Sequence, residues 1–264
     1  MKKILFTLAV AAIAAVSAKA QVVLSGTMEG LQKTDVIESG AYQDKEDETV
    51  YNQWMGMIPR KVIEGISSPV AGAPLTYAKY NEGGASFALG TGFAKGEDGK
   101  KVKGSRSIAY TFKKPLKEGP VYYSFLVSLK KAPKKPLSLS GIVKGPKGTG
   151  ATACLAIVTP EDNKDAIQLG VKMGKEVVMS SKTIGKGETA LVIVKLDQDN
   201  AKASLYVNPK VGKKEPKKAD ATVEWTGEKA FKPGVRGIFV QNSNWMSGNI
   251  GNFRLSQSWN AVFE

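Results

Sequence analysis

The stretch "VYYSFLVSL", residues 121–129, limits the fold of this chain more than any other. In an extended strand successive side chains point to opposite faces. Val121, Tyr123, Phe125, Val127 and Leu129 then share one face, and Tyr122, Ser124, Leu126 and Ser128 the other. "ASLYVN" alternates likewise, with Ala203, Leu205 and Val207 opposite Ser204, Tyr206 and Asn208. "ALVIVKL" is apolar on both faces until Lys195, as expected of a strand central in a two-sheet stack. Further short β-type runs are "LTYAKY", "ASFALG", "RSIAYTF", "TACLAIVT", "AIQLGV", "VVMSS", "GIFVQN" and "GNFRLS", separated by Gly, Pro, Asn and Lys. Apart from the N-terminal apolar run, no amphipathic segment reaches helical length. Many short strands with turn residues between them predict an all-β fold, a two-sheet antiparallel sandwich or jelly roll.

Such a fold needs a real hydrophobic core here, because covalent cross-links cannot hold it. The chain has one cysteine, Cys154, so no intrachain disulfide or thiolate cluster can form. Cys154 lies in the apolar run "ATACLAIVT" and reads as a buried, inert thiol. There is no histidine, which removes Ser-His-Asp and Cys-His catalysis and His-ligated metals. All-β sandwiches of about 200–250 residues often form one domain, and one domain over residues 21–264 is expected.

Residues 1–20 read as a secretory signal. "MKK" gives a positive start, "ILFTLAVAAIAAV" an apolar stretch, and "SAKA" the Ala18-x-Ala20 pattern before cleavage. The apolar stretch is short for a membrane span, and no later run is long enough for one. Export by the Sec route to periplasm, cell surface or medium is the expectation. Loss of Lys2, Lys3 and Lys19 lowers the formal charge from +14 to +11. In an exported chain that balance points away from nucleic acid and toward anionic glycans, envelope polymers or acidic membrane surfaces. Lysine also keeps a surface soluble and blunts sheet edges, which is the plainer reading.

The stretches 130–136 ("KKAPKKP") and 208–220 ("NPKVGKKEPKKAD") are expected as exposed loops, with a basic binding rim as the functional alternative. "LDQDN", 196–200, is expected as a hairpin turn. Asp197 and Asp199 there could contribute to a calcium site, but one D-x-D lacks the remaining oxygen ligands, and no cofactor is expected. Residues 27–74 show no sustained period, and are expected either to wrap the sandwich or to hold a short helical turn.

"GETALVIVKLDQDNAKASLYVNP" followed by "GIFVQNSNWMSGNIGNFRLSQSWNAVF" resembles the C-terminal half of bacterial concanavalin A-like lectin/glucanase domains, the laminin-G-like jelly rolls of exported proteins. Their hairpin of hydrophobic strand, Asp-containing turn and L-[WY]-V-N-P is matched by Val192–Leu196, Asp197 and Leu205–Pro209. Their closing pattern D-x-[IL]-R-[VI]-G-x-[ST]-W-x-x-V is matched at Arg254, Ser258, Trp259 and Val262, with Phe253 and Leu255 at its apolar positions, Ser256 for the usual Gly, and the usual Asp missing beside Asn252. "GPVYYSFLVSL", "RSIAYTF" and "PLTYAKYNEGGASFALG" are similar to strands further upstream, so the resemblance covers about residues 70–264. It implies the concanavalin A-like jelly roll and says little about ligand, since one fold hosts many functions.

Glucanases of that group carry an E-x-D-x-E strand motif, and glycoside hydrolysis needs two suitably spaced carboxylates. No such motif occurs in the middle strands. "DKEDE" holds alternating Asp44, Glu46 and Glu48 but lies outside the resembling region and reads as a solvated acidic loop. No catalysis is expected, with a glycoside hydrolase or lyase kept as a minor alternative. A binding site is better supported by "VQNSNWMSGN". Trp245 there could stack on a sugar ring beside the amides of Asn242, Asn244 and Asn249. Trp54 and Trp225 have weaker claims, and Arg254 is expected to be structural, paired with an acid across the sheet.

The function expected is an exported, noncatalytic protein binding a polysaccharide or glycoconjugate, with anionic ligands favoured, or serving as a cell-envelope accessory. A structural or adhesive protein that binds other proteins is the alternative. Phe253 and Leu255 are expected to face the core, and Trp259 and Val262, on a short C-terminal helical turn, to pin the closing strand.

Overall fold

The computed structural model describes residues 22–26, 52, 54–57, 65–67, 69–80, 86–145, 148 and 150–263. Fifteen strands form among them. β1 is Val22–Gly26, β2 Trp54–Met57, β3 Val70–Gly72, β4 Ser86–Leu89 and β5 Ser105–Leu116. β6 covers Pro120–Lys131, β7 Leu137–Val143, β8 Ala151–Val158, β9 Ala166–Met173 and β10 Glu176–Gly185. β11 is Thr189–Asp197, β12 Lys202–Val207, β13 Ala221–Glu224, β14 Val235–Ser243 and β15 Ser247–Ser256, and a 3-10 turn follows at Asn260–Phe263.

The strands pair antiparallel into two sheets, making a jelly-roll sandwich. The first sheet runs β13-β12-β11-β6-β15-β4-β3, with β1 also on β15, and the second runs β10-β9-β8-β7-β14-β5-β2. Between the sheets lies one large core. The inward residues predicted for β6 are all in it, beside Val192, Val194 and Leu205 from the first sheet and Leu155, Leu169 and Ile238 from the second. Phe253 and Leu255 of β15 also face this core, as expected. Among the described residues, no helix is long and apolar enough to cross a membrane.

The outer face of the first sheet is buried as well, and this explains why β11 reads as apolar on both sides. Its second face meets the chain's own connections, not another sheet. Tyr122, Ile193 and Tyr206 pack under Trp259 and Val262 of the C-terminal turn. Leu126 and Leu191 pack under Leu75 and Tyr80. The Trp259 ring meets Tyr206 edge-on at 5.0 Å between centroids and donates its indole N–H to the Lys213 carbonyl at 2.7 Å. Burying an indole of about 200 Å² is worth at most about 5 kcal/mol, which is enough to fasten the closing strand.

Three expectations change. "LTYAKY" is not a strand: the Tyr80 N–H donates to the Tyr77 carbonyl in a turn, at 2.9 Å. Its apolar residues are two anchors, Leu75 and Tyr80, and the Tyr80 hydroxyl is tied to Ser124 (2.9 Å) and to the Asn252 carbonyl (2.8 Å). Residues 27–74, expected to wrap the sandwich or to hold a short helical turn, instead supply β2 and β3 among the described residues, with Trp54 in β2 paired to β5 at the sheet edge. Arg254 has no acid partner among the described residues. It is buried with its guanidinium 4.5 Å from the centre of the Tyr80 ring, where the π face takes the place of a carboxylate. β7 escapes the sequence pattern because Ser138, Ser140 and Gly141 dilute it; its Ser140 hydroxyl meets the Tyr123 hydroxyl at 2.7 Å inside the core. Residues 1–20, expected as a secretory signal, and the acidic run 44–48 lie outside the described residues.

Candidate functional site

A cleft of about 980 Å³ opens at one pole of the sandwich. Four connections gather there: β6–β7, β8–β9, β10–β11 and β14–β15. Apolar surface comes from Ala132, Pro133, Pro136, Leu137 and Trp245. Charge comes from Lys131, Lys134, Lys135, Lys164 and Lys186, against a single acid among the described residues, Glu161.

Each wall has a local reason for its shape. Pro133 and Pro136 fix φ on both sides of the Lys134–Lys135 tip and keep it out of a ladder. Thr159 clamps the same loop, its N–H donating to the Pro133 carbonyl (2.8 Å) and its hydroxyl to the Ala132 carbonyl (2.9 Å). Lys186 makes a loose pair with Asp165 at 3.6 Å, and Lys164 donates to the Pro160 carbonyl at 3.2 Å. Lys131, Lys134 and Lys135 are exposed and have no acid partner among the described residues.

Trp245 is 43% exposed, and among the described residues Val178 is the one other large apolar side chain so open to solvent. Its loop is nonetheless fixed. The Asn242 side chain is fully buried, accepts from the Gly90 N–H (2.7 Å) and donates to the Thr91 carbonyl (2.7 Å). Asn244 accepts from the Gly104 N–H at 3.1 Å, and Ser243 accepts from the Trp245 N–H at 3.2 Å. Gly90 has a φ of +74°, and a Cβ there would strike the Met246 carbonyl, so the β4–β5 connection presses directly on the Trp245 loop. Next to Trp245, Met246 is buried in the core.

Of the four residues proposed for a ligand from the sequence, only Trp245 lines the cleft. Asn242 and Asn244 hold its loop. Asn249 lies in β15 and accepts from the Ser86 hydroxyl at 3.3 Å. Amides beside Gly and Ser in a turn as often satisfy backbone as meet a ligand, and here Asn242 has both ends occupied. Lys164 and Lys186 escaped the sequence reading because only the tertiary fold carries them to Trp245. Trp54 and Trp225 pack against other rings, Trp54 on Phe87 at 4.9 Å and Trp225 on Phe231 at 5.9 Å.

The second lysine-rich connection, 208–220, is held by an acid. Glu215 accepts from the Tyr122 hydroxyl (2.7 Å), the Tyr206 hydroxyl (2.5 Å) and Lys195 (2.9 Å). Burial pushes the Glu215 carboxyl up, but these three donors and the Lys195 charge outweigh it, and the group sits below its ordinary 4.5. Burial, then the hydrogen bond to Glu215, raises both tyrosines. Asp197 closes the 196–200 turn by accepting from Asn200, at 3.1 Å from its N–H and 2.9 Å from its side chain. Burial drives the Cys154 thiol up to about 12, so its thiolate is scarce at neutral pH.

No protein-family model matches the chain, and no match is found among curated proteins. Solved structures do resemble it. The calreticulin globular domain of T. cruzi is similar over 80% of this chain and 86% of that one, at 11% identity and a TM-score of 0.45. An alginate lyase from Pseudomonas aeruginosa is similar over 70% and 86%, at 10% identity and a TM-score of 0.42. Lectin I-B4 from Griffonia simplicifolia is similar over 76% and 98%, at 13% identity and a TM-score of 0.38. The sandwich described above rests on the chain's own strand pairing, and the cleft on its own residues.

Proposed function

We propose that this chain is an exported, noncatalytic binding protein of the concanavalin A-like type that takes a carbohydrate or glycoconjugate in the Trp245 cleft and acts at the cell envelope. The observation that carries this reading is an exposed indole on a loop fixed by buried asparagine and glycine, at the mouth of a cleft of about 980 Å³. Ligand pockets are commonly about 300–1,000 Å³, and flat aromatic faces stack on the C–H face of sugar rings. The noncatalytic part is supported by the cleft's single carboxylate among the described residues, Glu161, where glycoside hydrolysis uses two. Export is supported by the sequence of residues 1–20.

A glycan array probed with residues 21–264 tests the reading, with Trp245→Ala beside the wild type. Binding to a subset of glycans that Trp245→Ala abolishes is the expected outcome. Absence of binding to every neutral and acidic glycan would sink it and favour the structural or adhesive alternative. Release of reducing ends from any polysaccharide would overturn the noncatalytic part. Sequencing the exported protein should find Gln21 at its N-terminus.

A further inference from the structure

We infer that the cleft recognises an acidic polysaccharide, a chain of sugar rings bearing carboxylate or sulfate groups, with Trp245 as the stacking platform and Lys131, Lys134, Lys135 and Lys164 as the anion-reading rim. This rests on the carbohydrate reading of the same cleft and adds the charge of its ligand.

The first ground is charge complementarity. Five lysines and one glutamate line the cleft, and three of those lysines lack any acid partner among the described residues. Like charges gathered in a concave site repel one another and focus the potential outward, an arrangement that an anion relieves. The second ground is the division of the lining. Proline, leucine and indole surfaces lie among the ammonium groups, which suits a ring with an apolar C–H face and charged substituents at its edge.

The third ground is what the topology denies to other acidic partners. An acidic peptide joins a β protein most readily by adding a strand to a sheet edge. Among the described residues the strands paired on one side only are β13, β3 and β1 in one sheet and β10 and β2 in the other. The cleft instead lies at the ends of β6, β7 and β8, whose ladders are filled on both sides. A flat anionic membrane would meet lysines on a convex surface, whereas these sit around a hollow. The second lysine-rich connection, 208–220, offers an internal contrast: its lysines are exposed too, but its neighbouring Trp259 is buried.

The experiment measures binding of residues 21–264 to polygalacturonate, dextran sulfate, neutral dextran and poly-glutamate by calorimetry at about 50 and 300 mM salt. The variants are Trp245→Ala, the pair Lys134→Ala with Lys135→Ala, and, as a charge-matched control, the pair Lys217→Ala with Lys218→Ala. Expected is binding to one of the acidic polysaccharides well above dextran, weakened about tenfold by Trp245→Ala and by the Lys134/Lys135 pair, and weakened by salt. The control pair should leave it within about twofold. Equal weakening by both lysine pairs, or binding of poly-glutamate as tight as that of the polysaccharides, overturns the proposal in favour of bulk charge. Binding of dextran alone, lost in Trp245→Ala and indifferent to salt, overturns the anionic specificity and leaves the carbohydrate reading standing. No binding to any of the three polysaccharides, nor to any glycan on the array, overturns both. Circular dichroism and thermal melting confirm that each variant is folded, as expected for exposed side chains.

Discussion

Residues 130–136 and 208–220 are both rich in lysine and proline, but the longer one also carries Glu215 and Asp220, and they lie on the sandwich in opposite ways. The longer one is a strap. Glu215 ties it to Tyr122, Tyr206 and Lys195, the Lys213 carbonyl takes the Trp259 indole N–H, and Val211 packs beside Leu191. The shorter one is a rim. Its backbone is clamped through Thr159, but its lysines have no acid partner among the described residues and surround a tryptophan left 43% exposed, against 7% for Trp259. Two acids separate them. Glu215 and Asp220, which accepts from the Val207 N–H at 2.7 Å and pairs with Lys182, tie the longer connection to the sheet; the shorter one carries no carboxylate, and its lysines stand around an open cleft.

That contrast makes its strongest prediction at Trp259. Trp259→Ala removes the ring that packs on Tyr122 and Tyr206, and should lower unfolding free energy by about 4 kcal/mol in urea titration. A loss below about 1 kcal/mol would mean that the strap does not depend on its anchor. Asn242→Ala comes next, at about 2 kcal/mol, because it leaves the buried Gly90 N–H and the partly buried Thr91 carbonyl without this partner. It should also weaken glycan binding by loosening the Trp245 loop, although Asn242 does not line the cleft.

Glu215→Gln should cost about 2 kcal/mol at neutral pH and change the shape of the pH profile. The folded carboxyl lies below its ordinary 4.5, so its contribution is complete above that value and is lost as pH falls through the lowered one. The variant should therefore show a flatter acid limb in thermal melts below about pH 5, and an unchanged acid limb would show that the strap is held without this charge. The smallest effect on stability belongs to Trp245→Ala, within about 0.5 kcal/mol, since its ring supports no core. A tryptophan whose removal costs ligand and no stability, beside one whose removal costs stability, is the comparison in its sharpest form.

Much of the sandwich was legible in the sequence because strand alternation is a local property. β6 and β12 follow from period two, β11 from a run apolar on both faces, and the closing turn with Trp259 and Val262 lies where the spacing predicted. Tyr80 misled for the opposite reason: an apolar residue in a turn and one in a strand look alike until the surface it packs on is known. At the cleft, Trp245 stood out as an aromatic in a Gly- and Ser-containing loop. Asn242 and Asn244 looked like ligand donors because an amide's partners 140 or more residues away leave no mark in the sequence.

The sequence by itself determined an all-β chain with one core-facing side on strands such as β6 and β12 and two apolar sides on β11, and it nominated one tryptophan. Only the tertiary structure decided that the first sheet is covered on its other face by loops, and that Lys131, Lys134, Lys135, Lys164 and Lys186 meet Trp245 at one pole. The reason is range. Alternation is written between neighbours two residues apart, whereas a cleft is made by connections whose proximity depends on how every strand between them is paired.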